Sequence, residues 1–203
     1  MSLNKIKNYF EPKSILDIGA NTGQFYREIS QIFPNAYFFL IEGNDGCEIP
    51  LQSIGVDYSI AMLSDCEKIV KYYIRDGEPL CTGNSIYKEN SAFYDEDKII
   101  IVEKDTKTLP QVLNGKLFDL IKIDVQGSEL DIIKGGLDII KSSKGVLMEV
   151  SLVEFNHGAP TKKEVIDFME DIGFEPIEII ANINHPMFHT LIQEDILFLN
   201  KKI

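Results

Sequence analysis

The sequence predicts an α/β fold built on a mostly parallel sheet, and three observations carry that expectation. Apolar runs of strand length alternate with segments of helical spacing between Ser14 and Ile172, the signature of strand–helix–strand units. The stretch Ser14–Phe25, S-I-L-D-I-G-A-N-T-G-Q-F, passes from a short apolar strand through Gly19 and Gly23 into a helix. Such a turn lets the backbone approach a ligand and presents the unpaired N–H groups of a helix N-terminus. Finally, two strand-like runs close the chain with no helix between them, so they form an antiparallel pair at one edge of the sheet. A parallel pair would need a helix-sized crossover.

In order along the chain, residues 1–13 read as an arm or short helix ending at Glu11-Pro12, where proline disfavours continuation. Ser14–Gly19 is the first strand. Phe25, Ile29, Ile32 and Phe33 then recur at three- and four-residue spacing, with Gln24, Arg27, Glu28 and Gln31 between them, and Pro34-Asn35 ends that helix. Ala36–Ile41, nearly all apolar, is a strand buried on both faces. A short helix near Cys47–Ile54 precedes a strand at Val56–Met62, which ends in Leu63-Ser64-Asp65. Lys68–Ile74 is rich in β-formers. The stretch from Arg75 to Ser91 is full of turn residues and lacks periodicity. Irregular segments of that length in compact domains often serve as lids or binding loops.

Lys98–Val102 is the next strand, Leu109–Leu113 a helical turn, and Phe118–Val125 a strand ending in Asp124 and followed by Gln126-Gly127. Ser128 stands as N-cap of a helix marked by Leu130, Ile132, Ile133, Leu137 and Ile140, with Gly135-Gly136 bending or weakening its middle. Val146–Val150 is a strand with Glu149 near its end. Thr161–Ile172 is a helix closed by Gly173, and Phe174–Ile180 and Ile196–Leu199 are the final pair. No repeat or linker interrupts the pattern, so residues 1–203 are expected to form one domain.

With 203 residues, 44% hydrophobic and 26% charged, the chain has the composition of a globular protein with a sizeable core. Its formal net charge of −12 argues against a nucleic-acid partner, which needs a basic footprint. Cys47, Cys66 and Cys81 are an odd set without C-x-x-C spacing, which favours free thiols. Without a signal-like N-terminus or a membrane-length apolar run, a cytoplasmic protein with no membrane span is expected.

Acids stand at or just past the first three strand ends: Asp17, Glu42 and Asp65. In a parallel sheet they line one crevice. Glu42 lies where a carboxylate accepts ribose hydroxyls, the position of an acid about 20 residues after a Gly-rich loop. Asp65 suits a purine amine, though it equally suits a turn cap, and Asp17 suits an ammonium group, directly or through water. Gly19-Ala20-Asn21-Thr22-Gly23 does not fit G-x-G-x-x-G, and no phosphate-binding G-x-x-x-x-G-K-[ST] occurs. Ribose, amine-bearing base and cationic amino group together describe S-adenosyl-L-methionine better than a dinucleotide. The expected cofactor-binding set is therefore Asp17, Gly19, Asn21, Gly23, Glu42, Ser64 and Asp65.

The same residues carry a resemblance. D-I-G-A-N-T-G-Q-F, A-M-L-S-D, D-L-I-K-I-D-V-Q-G-S-E-L-D-I-I-K-G-G and L-M-E-V-S resemble the FkbM-type methyltransferases, which are class I S-adenosylmethionine-dependent enzymes. The resemblance implies a Rossmann-like class I fold: a seven-stranded, mostly parallel sheet in the order 3-2-1-4-5-7-6, with strand 7 antiparallel and helices on both faces. It also implies O-methylation of a hydroxyl on a sugar or natural product, so the expected partner is a small-molecule or saccharide acceptor. Two departures are visible: Gln126 stands where the family usually has an acid, and I-E-G-N-D follows the second strand where many relatives have E-P-x-x.

Methyl transfer to a hydroxyl calls for near-attack positioning and for a base or a metal. Asp124 is the first candidate base and Glu149 the second, with Glu129 and His157 behind them. Asp124 would equally cap the next helix, and Glu129 would equally face that helix dipole. A divalent metal is conceivable, but His185 and His189 are separated by Pro186 in a segment without helical pattern, so no metal site is assigned. Tyr72, Tyr73, Tyr87, Phe93 and Tyr94 are candidates for stacking on an acceptor sugar. The alternative to an enzyme is a binding module that retains the fold without catalysis.

Overall fold

The computed structural model describes residues 2–90, 96–184 and 189–202. After a 3-10 helix at Leu3–Asn8, the chain forms β1 (Ser14–Ile18), α1 (Gln24–Ile32), β2 (Tyr37–Glu42), α2 (Glu48–Gln52), β3 (Asp57–Ile60) and β4 (Met62–Leu63). It continues through β5 (Ile69–Arg75), β6 (Ile99–Lys107), α3 (Leu109–Leu113), β7 (Leu120–Ile123), α4 (Glu129–Gly135) and α5 (Leu137–Ser142). The last elements are β8 (Gly145–Ser151), α6 (Lys162–Asp171), β9 (Phe174–Asn184) and β10 (Leu191–Asn200).

The main sheet has seven strands in the order β3-β2-β1-β7-β8-β10-β9, and β10 runs antiparallel to both of its neighbours. Counted within this sheet alone, the strands follow 3-2-1-4-5-7-6. Counted along the chain, the order differs, because β4, β5 and β6 form a second sheet in the order β4-β6-β5. The main sheet has the seven strands expected of it, and three further strands stand outside it. The run expected at Val56–Met62 breaks at Ala61: β3 stays with β2, while Met62 and Leu63 pair with Thr106 and Lys107 of the second sheet.

Side chains alternate across the main sheet and so divide the core in two. On one side Leu16, Ile18, Ile121, Ile123 and Met148 pack against α3, α4, α5 and α6. On the other, Ile15, Phe38, Leu120 and Leu147 pack against α1 and the N-terminal 3-10 helix. By the same alternation Asp17 of β1 and Lys122 of β7 lie on the α1 side, and they are register partners.

Other boundaries shift for identifiable reasons. The helix expected from Ser128 through Ile140 divides into α4 and α5 at Gly135-Gly136. A Cβ on Gly135 would lie 2.2 Å from the Ser64 carbonyl oxygen, and one on Gly136 2.6 Å from Leu109 Cβ. These glycines therefore let two neighbouring segments touch the helix. Ser128 occupies the N-cap position but makes no side-chain cap bond. Glu129 instead ties down the loop before the helix, its Oε1 accepting from the N–H groups of Val125 (3.3 Å) and Gly127 (3.0 Å). α6 carries the capping box of Thr161 and Glu164. Among the described residues, no helix is long and apolar enough to cross a membrane.

Candidate active site

The strand order reverses between β1 and β7, which is where open α/β sheets bind ligands, beyond the strands' carboxyl ends. A cavity of about 240 Å³ opens there, near the lower end of small-molecule pockets. Its floor is the glycine turn. Gly19 sits at φ +81°, and a Cβ there would fall 1.8 Å from the Asp124 carbonyl oxygen, so only glycine lets the turn lie against the end of β7. Gly19 and Ala20 donate N–H bonds to the Ile41 carbonyl at 2.9 and 3.1 Å, tying the turn to β2. Gly23, at φ +87°, ends the turn; a Cβ on it would lie 2.2 Å from Ile54 Cδ1.

Glu42 lines the cavity and is 8% exposed. Its Oε2 accepts from the Asn21 N–H at 2.7 Å and its Oε1 from the Asn44 N–H at 2.8 Å. Burial raises this carboxyl, and the backbone N–H groups of Asn44, Asn21 and Gly43 work against the rise. The carboxylate thus fixes the glycine turn and keeps acceptor capacity beyond these two bonds. Ile41, Ala61, Met62, Leu63 and Ile132 make an apolar wall beside it.

The irregular stretch after β5 forms the roof. Cys81, Thr82, Asn84, Ser85 and Ile86 line the cavity. Ser85 exchanges backbone bonds with Tyr73 and donates its hydroxyl to the Gln126 carbonyl at 2.7 Å. Tyr87 donates to Asp131 Oδ2 at 2.9 Å, and Asn90 and His157 extend the attachment through backbone bonds to Phe155 and Lys88. The expectation of a binding loop there corresponds to a segment bonded to α4 and to the loop after β8.

A row of ionisable and amide side chains crosses the sheet edge. Lys122 Nζ lies 3.6 Å from Asp17 Oδ1 and 3.0 Å from Asp124 Oδ2, with the Phe25 ring 5.3 Å away. Gln126, at φ +59°, donates through Nε2 to Asp124 Oδ1 (3.3 Å) and Glu149 Oε1 (2.7 Å). Gln193 donates to the same Glu149 oxygen at 2.7 Å, and Asp195 is the cross-strand partner of Glu149. Burial, and then the facing acids Asp124, Asp195 and Glu129, raise Glu149 far above the carboxylate range. Burial also brings Asp195 to about 6 and Glu129 to about 7. Burial alone would lower Lys122, but the Asp124 and Asp17 carboxylates outweigh it and hold the ammonium charged.

Of the residues singled out from sequence, Gly19, Asn21, Glu42 and Asp124 line the cavity. Asp17 stands behind the wall, 1% exposed, with neither carboxylate oxygen hydrogen-bonded. Burial raises it to about 6 despite Lys122. Ser64 is buried beneath the wall, and Asp65 turns outward to Lys68 (2.6 Å) and the Ser64 hydroxyl (3.0 Å), which hold it at about 2. Glu149 sits one layer back, reaching Asp124 through Gln126. Glu129 holds the loop before α4, and His157 pairs with Glu154 at 3.0 Å, 70% exposed. Tyr72 lines the cavity, whereas Phe93, Tyr94 and His185 lie outside the described residues. Among the described residues no three His, Cys, Asp or Glu side chains converge as a metal set.

Lys122, Gln193 and Asp195 escaped the reading of the sequence. For Lys122 the signal was present: a lysine inside the otherwise apolar L-I-K-I of β7 must either find a buried counter-ion or face a cavity.

The methyltransferase FkbM domain model matches residues 17–176. Among solved structures, precorrin-6y C5,15-methyltransferase from Geobacter metallireducens superposes with TM-score 0.53 at 14% identity, over 98% of this chain and 87% of that one. A fibrillarin/Nop5p complex gives TM-score 0.54 at 12% identity, over 97% and 79%. The N-terminal domain of EvdMO1 with SAH bound gives 0.50 at 11%, over 97% and 79%. At these identities the likeness is one of fold. No curated protein sequence matches the chain.

Proposed function

The chain belongs to the FkbM methyltransferase family, whose methyl donor is S-adenosylmethionine, and from that premise we propose that it methylates a hydroxyl of a small-molecule or saccharide acceptor. The observation that carries this reading is the Glu42 carboxylate, held by two backbone N–H groups at the wall of the switch-point cavity.

The residues present fit an adenosyl group. Glu42 offers lone pairs to ribose hydroxyls. The wall of Ile41, Ala61, Met62 and Leu63 offers an apolar slot for the base. Asp65, bound outward to Lys68, is not placed for the base's amine, so in this reading backbone groups around Leu63 and Ser64 take that role. Asp17 acts at one remove, behind Lys122.

When bound, the donor supplies an electrophilic methyl carbon on a sulfonium, open to in-line displacement. Asp124, with one oxygen on Lys122 and the other on Gln126, presents its carboxylate to the cavity and receives the proton of the attacking hydroxyl. Glu149 is the poorer base, because a carboxyl that keeps its proton at neutral pH cannot take up a second one. We assign it instead to holding Gln126, which in turn orients Asp124. The roof segment excludes water from the reacting groups. The net charge of −12 disfavours a polyanionic acceptor and supports a neutral or cationic one.

Calorimetric titration of Glu42→Ala with S-adenosylhomocysteine tests the site. The proposal expects a loss of at least about tenfold in affinity, the scale of a hydrogen bond to a charged group. Unchanged affinity would mean that the ribose lies elsewhere.

A further inference from the structure

The charge on the cavity wall separates the two ends of a donor molecule. Glu28, Glu42 and Asp124 line the cavity as acids, and among the described residues lining it Lys122 is the one cation. Its ammonium carries three protons. One is directed at Asp124 Oδ2, 3.0 Å away, while Asp17 at 3.6 Å is beyond hydrogen-bonding distance, and both Asp17 oxygens are left without a donor. Lys122 is therefore charged, 6% exposed, and only partly satisfied at the cavity surface.

We infer that Lys122 receives the α-carboxylate of the donor's amino-acid end and so selects ligands that carry this group. The inference rests on the cavity being the donor site. Of the charged side chains lining the cavity, three repel an entering carboxylate and Lys122 attracts it. The position is also fixed: Lys122 is paired in register with Asp17 on β1 and with Leu147 on β8, so it cannot slide along the sheet edge. Its stem passes the Phe25 ring, with Nζ 5.3 Å from the centroid, and Phe25 also lines the cavity. Asp17 would then act as the buried counter-charge that keeps Lys122 in place.

The test compares S-adenosylhomocysteine with its decarboxylated analogue, an amine lacking only the carboxylate, by calorimetry. The wild-type protein should prefer S-adenosylhomocysteine by about 10- to 100-fold, the scale of a charge-assisted hydrogen bond. Lys122→Met should reduce that preference to within about threefold, while Lys122→Arg should retain much of it. Because Lys122→Met leaves Asp17 buried without a counter-ion, the double variant Asp17→Asn/Lys122→Met, which removes both charges, is measured alongside it. Thermal melts establish that each variant is folded. Undiminished preference in a folded Lys122→Met or double variant overturns the inference and assigns the carboxylate to backbone N–H groups at the start of α1. An absence of preference in the wild type also overturns it. Failure of the wild type to bind either ligand overturns the donor-site reading itself, which is a different result.

Discussion

Replacing Gly135 by alanine sets two effects of opposite sign against each other. Within a helix, alanine is favoured over glycine by up to about 1 kcal/mol, so local propensity alone would make the variant more stable. Packing says otherwise. The added Cβ falls 2.2 Å from the Ser64 carbonyl oxygen, 2.9 Å from Asp65 Cα and 3.1 Å from the Ser64 carbonyl carbon. All three are backbone atoms, so no side-chain rotation relieves the overlap, and α4 must move away from the segment after β4. Overpacking of that kind costs about 1–3 kcal/mol and sometimes more; with backbone on both sides the upper end applies. The expected net is a loss of about 2 kcal/mol. Urea unfolding reads it as a lower midpoint at unchanged slope. Affinity for S-adenosylhomocysteine should fall as well, because Met62 and Leu63, just ahead of Ser64, wall the cavity. A Gly135→Ala variant as stable as the parent, or more so, would refute the packing argument.

Two further outcomes follow from the buried charges. Burial raises Asp17 from the ordinary aspartate value to about 6, so the folded state binds this proton more tightly than the unfolded one. Its contribution is most favourable below the unfolded pKa near 4 and is lost as pH rises through about 6. Between pH 4.5 and 7.5 that amounts to about 2 kcal/mol, and Asp17→Asn should remove this part of the slope in urea unfolding. A variant with the parent's full slope would contradict the assignment. Gln126→Glu replaces a donor 2.7 Å from Glu149 and 3.3 Å from Asp124 with a third carboxyl. It should cost about 2 kcal/mol at pH 8 and less at pH 5.5, where the new group takes up a proton. Equal stability to the parent at both pH values would show that Gln126 does not bridge the two acids.

What the sequence made legible was what is enforced locally. The turn at Gly19–Gly23 was readable because positive φ and close backbone contact exclude a Cβ. The place of Glu42 beside the cavity was readable because an acid ending a doubly buried strand falls at the carboxyl edge of the sheet. The roof was legible as an irregular stretch, but its attachments, Ser85 to Gln126 and Tyr87 to Asp131, join residues 41 and 44 positions apart and leave no local trace. The orientation of Asp65 was hidden for a related reason: strand β3 ends at Ile60 and, after Ala61, Met62 and Leu63 join the second sheet, and the acid meets Lys68. Gly135-Gly136 read as a weak point in a helix. In the fold these glycines are contact points, which requires knowing that Ser64 and Leu109 lie against them. The row Asp17, Lys122, Asp124, Gln126, Glu149 and Asp195 spans four strands, so only the strand order brings it together.

In the proposed reading the cavity over Gly19–Asn21 holds the methyl donor with its ribose on Glu42. A crystal structure of the protein grown with S-adenosylhomocysteine tests this most directly. Ligand density is expected in this cavity, with both ribose hydroxyls within hydrogen-bonding distance of the Glu42 carboxylate and the base against Ala61–Leu63. Ligand bound elsewhere, or a cavity without ligand density at millimolar S-adenosylhomocysteine, would contradict it.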